Sequence, residues 1–573
     1  MYLNIPNHLK KFIVPQNYDQ YTYIDQACWR FIMKISVNFF KQHADNVYLE
    51  GLKKTGITLN KIPKIKSIDK KLSKFGWRAV CVRGFIPPTA FMEFQALKIL
   101  PIAADMRNHR NITYTPAPDI VHEAAGHAPI IANKDYADYL INYGEIAVKS
   151  ILSSEDMDVY YAIRELSDIK EKSNVNKKEI SNCEKKLDKL LKNISYLSEA
   201  SLLARMNWWT VEYGLVGNLD NPKIYGAGLL SSVAESENCF NKAIIKIPFS
   251  LDCTNYNYDI TEQQPQLFVT PNYKFLSKEL KKFSKGMAYK KGGEYGIKES
   301  IKAKTICSIE IDKLIQLSGI VSEYMINKKG DIYFIKLSGP TQICYKNKEI
   351  DSHGVNYHTE GYSTPLGKLK KYNKPIHELN KKEKNELRIA KNNKVILNFL
   401  DGISLEGKIK KILKKDSRII LISFSNCKVI KNNLTLFDPS WGEFDLVTGT
   451  KISSVFGGPC DSINYYKKLT PTNSRYKKYN TKKGISTEDR KLNNFFMLIE
   501  QTKQNEIEKL FDIYKKIKEG KITDWLLKYQ LLEKTNCNLE IAWVKTIYDD
   551  LKKLSNKNSD LSRAIKRSLK LFS

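Results

Sequence analysis

Apolar positions change their rhythm three times along this chain. From Gln26 to His43 they recur at helical spacing and are rich in aromatic residues, which predicts a helix. Turn-rich links follow around Pro63 and Pro87-Pro88, and residues 1 to about 150 read as mainly helical. Between Glu155 and about Ala204 the pattern becomes a pair of amphipathic stretches. Tyr160, Ile163, Leu166 and Ile169 form the first; Ile180, Cys183, Leu187, Leu190, Ile194 and Leu197 form the second, at the steps of a coiled-coil seam. The polar break Ser173-Asn174-Val175-Asn176 separates them, so a helical hairpin is expected, with charged faces that suit an insertion projecting from a domain.

From about residue 300 the alternation is strand-like. Ile332 to Leu337 follows the turn signal Lys328-Lys329-Gly330-Asp331. Val395 to Leu405, Ile419 to Ser425 and Phe444 to Val455 continue it, punctuated by Asp401-Gly402, Thr448-Gly449 and Gly457-Gly458-Pro459. Residues 466–485 read as a linker, Ser486-Thr487-Glu488-Asp489 supplies helix-capping chemistry, and the remainder reads as a small helical bundle. The expected fold class is multidomain α+β: a mainly α-helical domain over 1–290 with a helical-hairpin insertion at 155–204, a β-rich domain over 300–465, and a helical C-terminal region over 486–573.

Composition changes this picture little. Hydrophobic residues at 42% and aromatics at 11% indicate a folded protein of 573 residues. No run approaches the roughly 18 apolar residues needed to span a bilayer. Met1 to Pro6 lacks the basic and apolar regions of a signal peptide. Ten scattered cysteines without a C-x-x-C pair suggest reduced thiols, and a cytoplasmic location is expected. The net charge of +31 would suit a nucleic-acid partner, but the lysines are spread along a chain also rich in Asn and Ile. No recognition motif interleaves them with aromatics, so nucleic acid is not expected as a partner.

Chemistry concentrates in Pro118-Asp119-Ile120-Val121-His122-Glu123-Ala124-Ala125-Gly126-His127. Close histidine pairs are metal-site candidates, and a spacing of four, as in His-Glu-x-x-His, suits zinc hydrolases. A spacing of five puts the imidazoles roughly 140° apart on a regular helix. Both can then reach one ion only if the helix ends or distorts near Gly126. Two histidines and a carboxylate on one face of an octahedron make the non-haem iron(II) arrangement. Glu123 points away from His122 on a helix and suits a neighbouring role. Glu212 is the stronger carboxylate candidate, because its apolar, aromatic stretch would make an unpaired charge costly to bury.

Three segments, in order, resemble the pterin-dependent aromatic amino acid hydroxylases. They are Pro118-Asp119-x-x-His122-Glu123-x-x-Gly126-His127-x-Pro129, Thr210-Val211-Glu212-Tyr213-Gly214-Leu215 and Tyr225-Gly226-Ala227-Gly228-Leu229-Leu230-Ser231-Ser232. The resemblance covers about residues 10–285, including Thr22-Tyr23 and Gln264-Pro265, and makes 1–290 the expected catalytic domain. It implies a tetrahydropterin- and O2-dependent iron(II) monooxygenase acting on an aromatic amino acid, with phenylalanine to tyrosine as the default and tyrosine or tryptophan as alternative substrates. It implies His122, His127 and Glu212 as iron ligands, with Phe91 stacking on the pterin and Glu123 contacting it. Arg107 would bind the substrate carboxylate and Asp119 would orient that arginine. Thr115, Pro118, Trp208, Gly228 and Ser231 would wall the substrate pocket, and Ser231 would also support His122.

Two departures stand out. Asn207 occupies the place where animal members carry a tyrosine, and 85 positions separate His127 from Glu212, an excess that the hairpin accounts for. A zinc hydrolase using Glu123 as general base is the competing enzyme reading, and the five-residue spacing argues against it. A non-enzymatic basic scaffold is the third, and a chain cut at about 300 is expected to keep activity under the first reading if it folds. An oligomer contact through the insertion or the C-terminal region is left open. His353-Gly354-Val355-Asn356-Tyr357-His358-Thr359-Glu360 admits a second metal, but turn histidines are the simpler expectation. Gly457-Gly458-Pro459 lacks the following Lys-Ser/Thr of a phosphate loop.

Overall fold

The computed structural model describes residues 5–84, 86–113, 118–170, 176–259, 263–468 and 487–572. The long helix Tyr23–His43 anchors the first half. Thr22 caps it reciprocally with Asp25, which fixes its start three residues earlier than the apolar rhythm suggests. Trp29, Phe31, Ile32 and Met33 drive its inner face into the main core. Around it stand the helices Lys134–Ala147, Glu199–Asn207 and Tyr273–Ser284. Two small sheets interrupt this helical body. Arg78–Val82 pairs in parallel with Ile99–Ala103, and a four-stranded sheet runs in the order Lys223–Ile224, Leu215–Val216, Gln266–Thr270, Ile245–Pro248.

The hairpin consists of Ser154–Lys170 and Lys177–Lys192. It buries a small core of its own, with Ala162 and Leu166 against Leu187. The periodic seam overreached at its end. The second helix stops at Lys192, and Leu197, read as part of the seam, is 39% exposed. Apolar spacing persists there after the backbone has turned away.

The second half is antiparallel. A six-stranded sheet is built around Ile315–Ile326 and Ile332–Tyr345, and a five-stranded one around Ile403–Lys415 and Arg418–Lys431. Residues from both sheets, including Val321, Leu337, Ile420 and Val447, share one core. No helix among the described residues is long and apolar enough to cross a membrane.

The tail packs against the helical first half. Its five helices, from Thr487–Gln501 to Asp560–Leu569, place Phe496, Leu527, Leu551 and Ile565 in the same core as Trp29 and Phe31. The rings of Trp525 and Tyr529 each meet Phe31 edge-on at 4.9 Å. Arg30 pairs with Glu500 at 3.0 Å and Lys34 with Glu533 at 2.7 Å. A chain cut at 300 would therefore expose an apolar face of the catalytic half. Amphipathic tail helices announce a buried face in sequence, but not which surface covers it.

Candidate functional site

The two histidines lie on a π-helical turn, Val121–His127, and Glu212 closes another, Trp208–Glu212. A π turn hydrogen-bonds from i to i+5 and so returns residues five apart to one side of the helix. The distortion that the His122–His127 spacing demanded is thus spread over the whole turn. Thr210 supports the second turn: its hydroxyl donates to Met206 O at 2.6 Å and lies 2.9 Å from the Tyr139 hydroxyl.

The short helix Ala227–Ser231 wedges between the two π turns. Gly126 permits this contact, because a Cβ there would stand 2.8 Å from Ala227 O. Gly228 does the same on the other side, where a Cβ would meet Glu212 O and the Tyr213 ring at 2.9 Å. Small residues at these positions set the distance between the histidines and the glutamate.

The result is a tight cluster of donor atoms. His122 Nε2 and His127 Nε2 are 3.1 Å apart. Glu212 reaches both, with Oε2 3.3 Å from His122 Nε2 and Oε1 3.4 Å from His127 Nε2. Ligands at adjacent corners around one ion, with bonds of ~2.1 Å, stand ~3 Å apart. The donor set and its spacing fit a metal ion. Glu123 also approaches, with Oε2 4.0 Å from His127 Nε2, but Glu212 is nearer and faces both rings.

Ser231 orients His122. Its Oγ lies 3.0 Å from His122 Nδ1 and 3.3 Å from Gly228 O. A hydroxyl donating to that carbonyl accepts from Nδ1–H, which leaves the Nε2 lone pair facing Glu212. Burial, with His127 beside it and against the pull of Glu212, pushes His122 down to about 4. Burial opposes ionisation of Glu212 too, but the two imidazoles outweigh it and hold its carboxyl below the usual range. Glu123 is different: burial, which the Glu212 charge reinforces, pushes it up to about 8, and its Oε2 has no hydrogen-bond partner.

Arg107 and Asp119 form a buried fork beside the histidines, with side chains 1% and 4% exposed. Arg107 Nε donates to Asp119 Oδ2 at 2.7 Å and Nη2 to Oδ1 at 2.9 Å. Nη1 donates to Ser231 O at 3.0 Å. Asp119 Oδ1 also accepts from the His122 backbone N–H. Three of the five guanidinium protons are therefore committed, and two remain. Burial alone would raise the Asp119 carboxyl, yet the Arg107 charge holds it below its ordinary value.

Trp208 is stacked between Tyr213 and Tyr258, with ring centroids 4.7 and 4.4 Å away, and its Nε1 donates to Gln264 at 3.3 Å. Pro118 is half-buried directly before Asp119, and Phe91 is half-buried on the helix Pro88–Ala96. Thr115 lies outside the described residues. Asn207 Oδ1 is buried without a hydrogen-bond partner. Sequence reasoning missed the tail's approach to this site: His109 Nε2 lies 3.5 Å from Asp524, and Arg567 donates to Val233 O at 2.8 Å. Neither contact has a local signal in the sequence.

The sequence also matches known proteins. Residues 12–175 and 195–311 match the sequence model of the biopterin-dependent aromatic amino acid hydroxylases. The interval between them holds the second hairpin helix. The chain is 28% identical over 268 residues to phenylalanine-4-hydroxylase of Chromobacterium violaceum, covering 46% of this chain and 75% of that one. It is 28% identical over 269 residues to the Mesorhizobium japonicum phenylalanine-4-hydroxylase, covering 46% and 81%. A crystal structure of the Chromobacterium violaceum enzyme bound to cobalt aligns at 26% identity over 48% of this chain and 90% of that one, with a TM-score of 0.37. The ordered motifs and the sequence matches together show that residues 12–175 and 195–311 form a biopterin-dependent aromatic amino acid hydroxylase domain.

Proposed function

We propose that this enzyme is an iron(II)-, tetrahydropterin- and O2-dependent monooxygenase that hydroxylates the ring of phenylalanine to give tyrosine. The observation that carries this reading is the convergence of His122, His127 and Glu212 within 3.1–3.4 Å of one another. These three would hold the iron on one side and leave its other positions to reactants. When bound, iron and reduced pterin supply O2 activation and the electrons for ring hydroxylation.

The remaining residues bind and orient. Arg107 offers its two uncommitted N–H groups to the substrate carboxylate, and Asp119 keeps the fork aligned. Trp208, Pro118, Gly228 and Ser231 wall the amino acid side. Glu123, with its unpartnered Oε2, and Phe91 would hold the pterin. Ser231 keeps His122 turned toward the metal. Relatives named phenylalanine-4-hydroxylase support phenylalanine over the other aromatic amino acids. Ten unpaired cysteines support a cytoplasmic location.

The test is tyrosine formation from phenylalanine by the full chain with iron(II), a reduced pterin and O2. Turnover with phenylalanine above tyrosine and tryptophan is expected. A chain that consumes O2 with none of the three, or that holds zinc and hydrolyses peptides, would overturn the reading.

A further inference from the structure

The β-rich half holds another histidine pair five positions apart, His353 and His358. Both are pinned by the backbone of the strand Ile332–Tyr345: Ile343 N donates to His353 O, and Thr341 N donates to His358 O, each at 2.9 Å. Asp445, on the strand Phe444–Val447, arrives from far along the chain. Its Oδ2 lies 3.6 Å from His353 Nδ1 and 3.9 Å from His358 Nε2.

Three features set this cluster apart from ordinary turn histidines. The residues are only 4%, 9% and 2% exposed. The three facing atoms, His353 Nδ1, His358 Nε2 and Asp445 Oδ2, have no partner at hydrogen-bond distance, and beside the histidines only the Tyr357 and Ser423 hydroxyls act on the Asp445 carboxylate. Buried polar atoms are nearly always partnered, so three aimed at one point call for a shared partner. Their separations are too long for hydrogen bonds among themselves. The 3.6 and 3.9 Å from Asp445 Oδ2 to the imidazoles are somewhat longer than the ~3.4 Å between donors bonded at ~2.1 Å to one tetrahedral ion, and all three atoms lie within 4.8 Å of one another.

The surroundings are built to hold the carboxylate. Ser423 Oγ donates to Asp445 Oδ1 at 2.5 Å, which turns Oδ2 toward the histidines. Tyr362 donates to Asp445 O at 2.8 Å. Asp445 and His358 also line a cavity of about 320 Å³, together with Tyr357, Trp441 and Glu443. Three protein donors with one open side is the pattern of an exchangeable, not a closed structural, metal position.

We propose that His353, His358 and Asp445 form a second metal site, for a divalent transition-metal ion, with its open position facing this cavity. Zinc and iron(II) both accept two imidazoles and a carboxylate. The occupant is therefore distinguished by experiment.

The full chain, stripped with a chelator, is titrated with zinc chloride and, without O2, with iron(II). Bound metal is then counted by elemental analysis. Wild type should hold two ions and Asp445→Asn one, with hydroxylation unchanged. Asn retains the shape of the residue, and circular dichroism checks folding. His358→Gln, which alters a different element, should give the same count. Affinity at this site should fall more than ~100-fold in both variants, and by ~10–100-fold in Ser423→Ala. Tighter zinc than iron(II) binding at the site lost in Asp445→Asn identifies zinc as the occupant; the reverse order identifies iron. Equal metal counts in wild type and both folded variants overturn the proposal, whatever the fate of the site at His122.

Discussion

His122 and His127 lie in the helical half and His353 and His358 in the β-rich half, each pair five positions apart and each facing one carboxylate from a distant segment. The helical pair is carried by one π turn and closes to donor separations of 3.1–3.4 Å. The other pair hangs from turns beside a strand and stands 3.6–3.9 Å from its aspartate. Helical wedging brings the first cluster together through backbone contact, whereas the sheet brings the second together through register. In each cluster a serine holds one side chain in place, His122 in the first and Asp445 in the second.

The largest effect should come from Glu212→Ala. Iron retention and tyrosine formation should fall more than ~100-fold, since losing a ligand exceeds the loss of an orienting partner. Metal at His353 should be untouched. A variant that loses both metals would show that the halves are coupled and break the comparison.

Arg107→Ala should come next, at about 3–5 kcal/mol of stability, because it strands Asp119 as an uncompensated buried charge. Urea unfolding measures this. A loss below about 1 kcal/mol would mean that the helical site does not depend on the fork.

Ser231→Ala should weaken iron binding by ~10–100-fold while leaving Arg107 bonded to the backbone carbonyl of residue 231. Comparison with Ser423→Ala sharpens the contrast: the first should alter hydroxylation and the second should not.

The smallest effect concerns the tail. Burial, which Asp560 reinforces, pushes the Glu235 carboxyl up to about 7. From about pH 4.5 to 7 the folded chain keeps a proton that the unfolded chain has lost, so stability falls as pH rises through that window. Glu235→Gln should flatten the fall and leave the chain more stable above pH 7, by on the order of 1 kcal/mol. Thermal melts at pH 5 and pH 8 test it. An unchanged difference between the two melts would rule out Glu235 as the cause.

Much of the first site was legible because its elements carry local signals. The five-residue spacing demanded a distorted helix, and the apolar stretch around Glu212 demanded a partner for its charge. Asp445 had no comparable mark: it is one polar residue in Phe444–Val447, and strand register alone brings it to the histidines. The tail's docking was illegible for a related reason. Leu510 and Ile513 show that a face of the helix Ile507–Glu519 is buried, yet nothing local names the main core as its cover. The change from helical to strand-like rhythm near residue 300 was plain, because periods of 3.6 and 2 are properties of the chain itself.

The π turn at Val121–His127 also fixes how near this protein stands to another chemistry. Removing one residue, Ala125 for example, would leave His-Glu-Ala-Gly-His, the spacing that zinc hydrolases place on a regular helix. The segment is one residue out of phase with that spacing, and the wide turn absorbs the surplus. Gly126 against Ala227 then locks the phase, since a regular helix would rotate that contact away. Which metal chemistry the segment serves is thus set by a residue count.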